Sequence, residues 1–219
     1  MQFNIQIDRD WDQENFEAFW EDGNPTIKQV FPNIKSKQDI KELFQIEYDS
    51  RRILSVAGWL LGEIPILQQI TDALSEVIKE DWQGIDQIDI YVGVCPVCPR
   101  IISGDTFWTY YGGTTCDIRR ICAHEMAHFL YFKKLKRLLK NKNYDTEHPG
   151  YGWLLSEILN VPIINDPRIQ AIVHDKEQGY FFSAGVPDEL AQKVQGMWDP
   201  DKMLEIHEQT KDLLKGYYH

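Results

Sequence analysis

The sequence predicts an α+β protein, and three observations predict it. Ile85–Val94 and Thr106–Tyr111 alternate with the period of a pleated strand, Thr114 to about residue 140 repeats with the period of a helix, and shorter amphipathic stretches lie on both sides. With 43% apolar and 26% charged residues the chain has the balance of a globular protein rather than a disordered one. Seven Trp, ten Tyr and ten Phe supply the bulk for a core that needs no disulfide staple.

From the N-terminus, residues 3–7 alternate as a short strand, and Asp12–Asp22 reads as a turn of amphipathic helix or an aromatic-anchored loop ended by Gly23-Asn24-Pro25. Lys35–Asp49 carries Ile40, Leu43 and Phe44 at helical spacing, and Arg51–Leu61 reads as a more buried helix. Pro65 suits the first turn of the next helix, whose face is Ile66, Ile70, Leu74 and Val77/Ile78. In Ile85–Val94, the residues Ile88, Ile90, Val92 and Val94 share one face of the pleat; Pro96 and Pro99 break it. Gly112-Gly113 ends the second strand, after which Thr114 or Thr115 can cap the long helix with Asp117 in its first turn. A further helix is expected from about Tyr151 to Leu159, with Pro162 and Pro167 punctuating the chain beyond it. Arg168–Glu177 and Pro187 to about Lys215 are expected to be helical, with breaks near Gly196 and Pro200. The length suits a single domain over 1–219: residues 1–64 as an N-terminal extension, 65–160 as a core and 161–219 as a mainly helical C-terminal part.

A formal charge of −11 argues against general affinity for nucleic acid or an anionic membrane. One basic segment stands apart: Lys133, Lys134, Lys136, Arg137, Lys140 and Lys142 have no acid between them. They read as a solvated helix end that favours the C-terminal dipole, or as a docking patch for an acidic partner. Ile53–Leu61, the most apolar stretch, is cut by Ser55 and Gly58 and falls far short of the ~20 residues of a membrane span. The first ten residues show no basic n-region and no apolar h-region, so the expected compartment is the cytoplasm.

The chemistry sits in His124-Glu125-Met126-Ala127-His128, an H-E-x-x-H sequence inside the long helix. At ~100° per residue, positions four apart differ by only ~40° around the axis, so both imidazoles project from one face. Two nitrogens there can take adjacent corners of a zinc tetrahedron. Glu125 lies beside that face, placed to reach a water on the metal rather than the metal itself. Zinc lowers the pKa of such a water towards ~7, and a neighbouring carboxylate can take its proton as it attacks a carbonyl. Chance gives this pattern in only roughly 1% of chains with six His, and rarely inside an amphipathic helix. A third ligand is needed. Tyr131 and Lys134 occupy the positions where one family extension has Gly and His, so Glu157 is preferred, in the apolar stretch Gly152–Leu159 where an unpaired carboxylate is costly. Asp145 and His148 are rivals for the same corner.

This order of strand, strand, H-E-x-x-H helix and Glu-bearing helix resembles the zincin metallopeptidases, in their Glu-ligated gluzincin branch, over roughly residues 65–160. The resemblance implies a zincin-like fold with a small mixed sheet packed on helices, and a zinc ion held by His124, His128 and Glu157 with Glu125 as general base. It further implies a peptide or protein substrate bound along an edge strand, Thr106–Tyr111, by strand addition. Many gluzincins place an Asp four residues after the ligand Glu to orient a ligand His. Here that position is Val161, preceded by Asn160, so either Asn160 does that work or the third ligand lies elsewhere. For the oxyanion the candidates are His174, Tyr180 and Tyr151.

Four cysteines, Cys95, Cys98, Cys116 and Cys122, fall in one short window. Cys95-Pro-Val-Cys98 resembles a zinc knuckle, but the gaps to Cys116 and Cys122 match no standard finger, so reduced, packed thiols are expected over a second, structural zinc or a redox pair. The overall expectation is a zinc metallopeptidase. Its alternatives are a zincin-like sensor or binding domain with little turnover, and a protein whose one metal sits on the thiols.

Overall fold

The computed structural model describes residues 1–140, 146, 148–179 and 184–218. It is an α+β protein with a four-stranded mixed sheet. By internal packing the chain divides into two compact units, residues 1–67 with 84–121, and residues 68–83 with 122–219.

The first unit holds the sheet, in the order β1-β2-β4-β3: β1 (Gln2–Gln6), β2 (Gln87–Gly93), β4 (Thr106–Tyr110) and the two-residue β3 (Arg100–Ile101). β1, β2 and β4 run parallel, with Ile5 opposite Ile90 and Ile90 opposite Phe107; β3 is antiparallel to β4. The residues expected to be an N-terminal extension therefore supply a strand of this sheet. They also supply α1 (Arg9–Glu21), α2 (Pro25–Val30), α3 (Lys37–Asp49) and α4 (Arg52–Gly62), of which α4 packs on β1 and β2. Helix α2 begins where the sequence suggests only a turn. Asn24 caps it by accepting from the Thr26 N–H, and Pro25 sits in the first turn, where its missing N–H costs nothing.

The position of β4 corrects the expected peptide-binding edge. Thr106 and Phe107 are paired with β3 on the side away from β2, and the Trp108 N–H donates to the Pro99 carbonyl. The sheet's edges are β1 and β3, so strand addition along Thr106–Trp108 would have to displace partners already in place.

Asp12, on α1, ties this unit together. It is buried, and its carboxylate accepts from the Val94 N–H at 2.6 Å, the Cys95 N–H at 3.2 Å and the Tyr48 hydroxyl at 2.9 Å. Burial raises its pKa against the pull of those three donors. Gly93 is required beneath it, because a Cβ there would stand 2.3 Å from Asp12 Oδ1. Around this tie Trp108 stacks on Tyr91, and Trp11 packs edge-on against both rings. Asp12→Ala is expected to strand two buried amides and the half-buried Tyr48 hydroxyl and cost roughly 3 kcal/mol, read as a lower urea midpoint.

The second unit is helical. It contains most of α5 (Ile64–Ile78), the greater part of α6 (Thr115–Leu138), and α7 (Tyr151–Ile164), α8 (Pro167–Val173), α9 (Asp188–Gln195) and α10 (Met203–Leu213). A capping box starts α6: the Thr114 hydroxyl accepts from the Asp117 N–H, and Asp117 accepts from the Thr114 N–H. Apolar almost all round, α7 is buried along most of its length and packs with α8, α9 and α10. It runs through Pro162 rather than ending before it. In the last turn a proline forfeits only the bond to the Ile158 carbonyl, and the Asn165 N–H still closes on the Val161 carbonyl. The breaks expected near Gly196 and Pro200 are present, while α8 stops at Val173, short of Glu177.

Of the described residues of the basic segment, Lys134 alone is buried. It donates to the Ile78 carbonyl at 2.6 Å and the Lys79 carbonyl at 3.3 Å, capping the end of α5. Lys133 binds Asp81, and Arg137 forks onto Glu80. Lys136, Arg137 and Lys140 are exposed, and Lys142 lies outside the described residues. No single helix among the described residues is long and apolar enough to cross a membrane.

Candidate metal centre

Three side chains of the second unit converge at one point, two from α6 and one from α7. His124 Nε2 and His128 Nε2 are 3.0 Å apart; Glu157 Oε2 is 3.3 Å from the first and Glu157 Oε1 is 3.3 Å from the second. One nitrogen from each ring and one Glu157 oxygen all lie within 4.8 Å of one another, close enough to share a single metal ion. Among the described residues this is the group able to hold a metal ion. Glu125 Oε1 stands 4.0 Å from His124 Nε2, beside the ligands. His124, Glu125, His128 and Glu157 are only 1, 5, 0 and 2% exposed.

The electrostatics also call for a cation. Burial opposes a charge on His124, yet the Glu177 and Glu157 carboxylates overcome it and push the imidazole up to about 10. Burial likewise opposes charge on Glu157, but His128 and His124 hold its carboxyl well below the usual carboxylate range. Any metal at these donors competes with protonation of the imidazole, so its binding weakens in acid.

Glu177 escapes a reading of the sequence. It lies in the polar run Asp175-Lys176-Glu177-Gln178, which looks like an exposed loop and carries no local pattern. In the structure it is buried, with Oε2 3.2 Å from His124 Nδ1 and Oε1 accepting from the Gln178 and Gly179 N–H groups at 3.0 and 2.7 Å. A carboxylate on the far nitrogen of a ligand histidine fixes its tautomer and ring plane. Asn160 contributes as well: its Nδ2 donates to the His124 carbonyl at 3.1 Å and lies 3.0 Å from His128 Nε2. Asn160 from α7 and Glu177 from the chain beyond α8 thus touch the two histidines alongside Glu157.

The other candidates lie elsewhere. His174 ends α8 in the left-handed region (φ 59°) and is exposed, outside the buried cluster; Glu177, three residues on, is the one that enters. The Tyr151 hydroxyl binds Thr210 at 2.8 Å and the His207 carbonyl, locking α7 to α10 rather than facing the cluster's ligands. His148 is exposed and packs against the Trp153 ring. Tyr180 and Asp145 lie outside the described residues. No disulfide joins the four cysteines; Cys95, Cys98 and Cys122 are buried and Cys116 half-buried. Burial pushes the Cys95 thiol up to about 12, so it packs as a protonated apolar group.

Comparison with protein-family models, with curated proteins and with solved structures finds no match to this chain.

Proposed function

We propose that this chain is a zinc metallopeptidase of gluzincin-like type. The single observation that carries the reading is the buried convergence of His124, His128 and Glu157, with Glu125 beside them. His124, His128 and Glu157 would hold the ion, and its resident chemistry is to acidify water and polarise a substrate carbonyl. Glu125 is the base: its carboxylate receives the proton released by the attacking water and returns it to the departing amine. Glu177 keeps the His124 ring in register, and Asn160 braces α7 against the His124 backbone. The burial of all four central residues excludes bulk water from the charges, which strengthens each of these interactions.

That same burial favours a second reading, a metal-holding sensor or binding domain with little turnover, since a peptide finds little exposed surface at Glu125. One experiment separates the two. The zinc-loaded protein is incubated with a diverse peptide library, with and without a chelator. Cleavage that disappears with chelator and returns with zinc is the expected result. Stoichiometric metal with no cleavage would replace the peptidase by the sensor.

A further inference from the structure

The Glu177 carboxylate is held in place by a brace that begins at Asn165. Asn165, the residue on which α7 ends, is joined to Glu177 in both directions: its Oδ1 accepts from the Glu177 N–H at 3.0 Å, and its Nδ2 donates to the Glu177 carbonyl at 2.9 Å. These two residues are twelve apart in sequence, with α8 between them. Gln170, on α8, closes the same loop a second time by donating from Nε2 to the Ile164 carbonyl at 3.0 Å and the Asp175 carbonyl at 2.8 Å. The chain from Ile164 to Glu177 is thus stapled at its neck, and the side chain leaving that neck is the carboxylate on His124 Nδ1.

We propose that Asn165, though no part of the ligand set, is a positioning residue for the metal centre: it fixes the backbone of Glu177, and through Glu177 the ring of His124. The proposal rests on the reading of His124, His128 and Glu157 as zinc ligands. Two features separate it from ordinary loop packing. The amide of Asn165 spends an acceptor and a donor on one and the same residue, which sets that residue's position and its rotation together. Both oxygens of the Glu177 carboxylate are then used, Oε1 on the Gln178 and Gly179 N–H groups and Oε2 on His124, so the carboxylate has little room to follow a backbone that shifts. A displaced neck costs the His124 bond. Metal affinity is consequently tied to the packing of a segment that supplies no ligand.

The test measures zinc affinity of the full chain by competition with a chromophoric chelator, for wild type, Glu177→Gln, Asn165→Ala and the double variant, together with the visible spectrum of each loaded with cobalt. Glu177→Gln is expected to bind zinc about 10–100-fold more weakly, the range for loss of an outer partner of a ligand. Asn165→Ala is expected to lose on the order of 10-fold and to shift the cobalt spectrum, although it removes no group that touches the ion. The double variant is expected to be no weaker than Glu177→Gln alone, because Asn165 acts through Glu177. Wild-type affinity in Asn165→Ala, or losses that multiply in the double variant, would overturn the proposal. If Asn165→Ala does not fold, Asn165→Asp, which keeps the acceptor for the Glu177 N–H, takes its place with a smaller loss in the same direction. A wild-type chain that binds no zinc would instead refute the metal reading itself.

Discussion

Glu125→Gln is expected to keep zinc at one ion per chain and to lose peptide hydrolysis by about 10²–10⁴-fold, the usual contribution of a positioned general base. Glutamine fills the same volume and leaves His124, His128 and Glu157 in place, so the ligand triangle is undisturbed. What it lacks is a basic oxygen. Because the position is 5% exposed, buffer has little opportunity to take over the proton transfer. The measurement is metal content beside the rate of chelator-sensitive cleavage; wild-type turnover in a metal-replete variant would remove Glu125 from its role.

His128→Ala and Glu157→Ala are each expected to abolish stoichiometric zinc after dialysis against a weak chelator, and all hydrolysis with it. Either change leaves two protein donors where a catalytic zinc takes three. It also leaves a polar partner buried without its counterpart, since His128 is among the groups that hold the Glu157 carboxyl ionised in the intact cluster. The double variant His124→Ala/His128→Ala decides a separate matter. Any zinc that survives there sits on the thiols, whereas its complete loss leaves the cysteines as packing, in keeping with the buried, protonated Cys95.

Those two sets of variants fall on residues that the sequence exposes directly, for a physical reason. His124, Glu125 and His128 are a local pattern on a helix whose cap, Thr114 with Asp117, and whose apolar period are also local. Glu157 is legible because a carboxylate amid apolar helix residues needs a partner. Glu177 and Asn165 follow no such rule. Their roles arise from a loop folding back on itself across twelve residues, and a polar loop residue has the same local appearance whether it faces solvent or a histidine. The same division runs through the fold. Helices α3 to α6 and strands β1, β2 and β4 announce themselves by period. Two-residue β3 is too short for a period, and it alone determines that β4 is an inner strand. The basic run looks like a surface feature because charge is usually solvated; the carbonyls at the end of α5 that Lys134 satisfies belong to a distant segment, 56 residues earlier in the case of Ile78.

The place of β1 and Asp12 governs how the protein can be dissected. An excised fragment starting at Pro65 would retain the H-E-x-x-H helix and Glu157 yet forfeit the parallel neighbour of β2 and the carboxylate that gathers the Val94 and Cys95 amides. Such a trimmed protein would expose a bare strand flank, ready to pair with another molecule. Inactivity in it would therefore report aggregation rather than chemistry, and point substitutions in the intact chain are the sound way to apportion function among these residues.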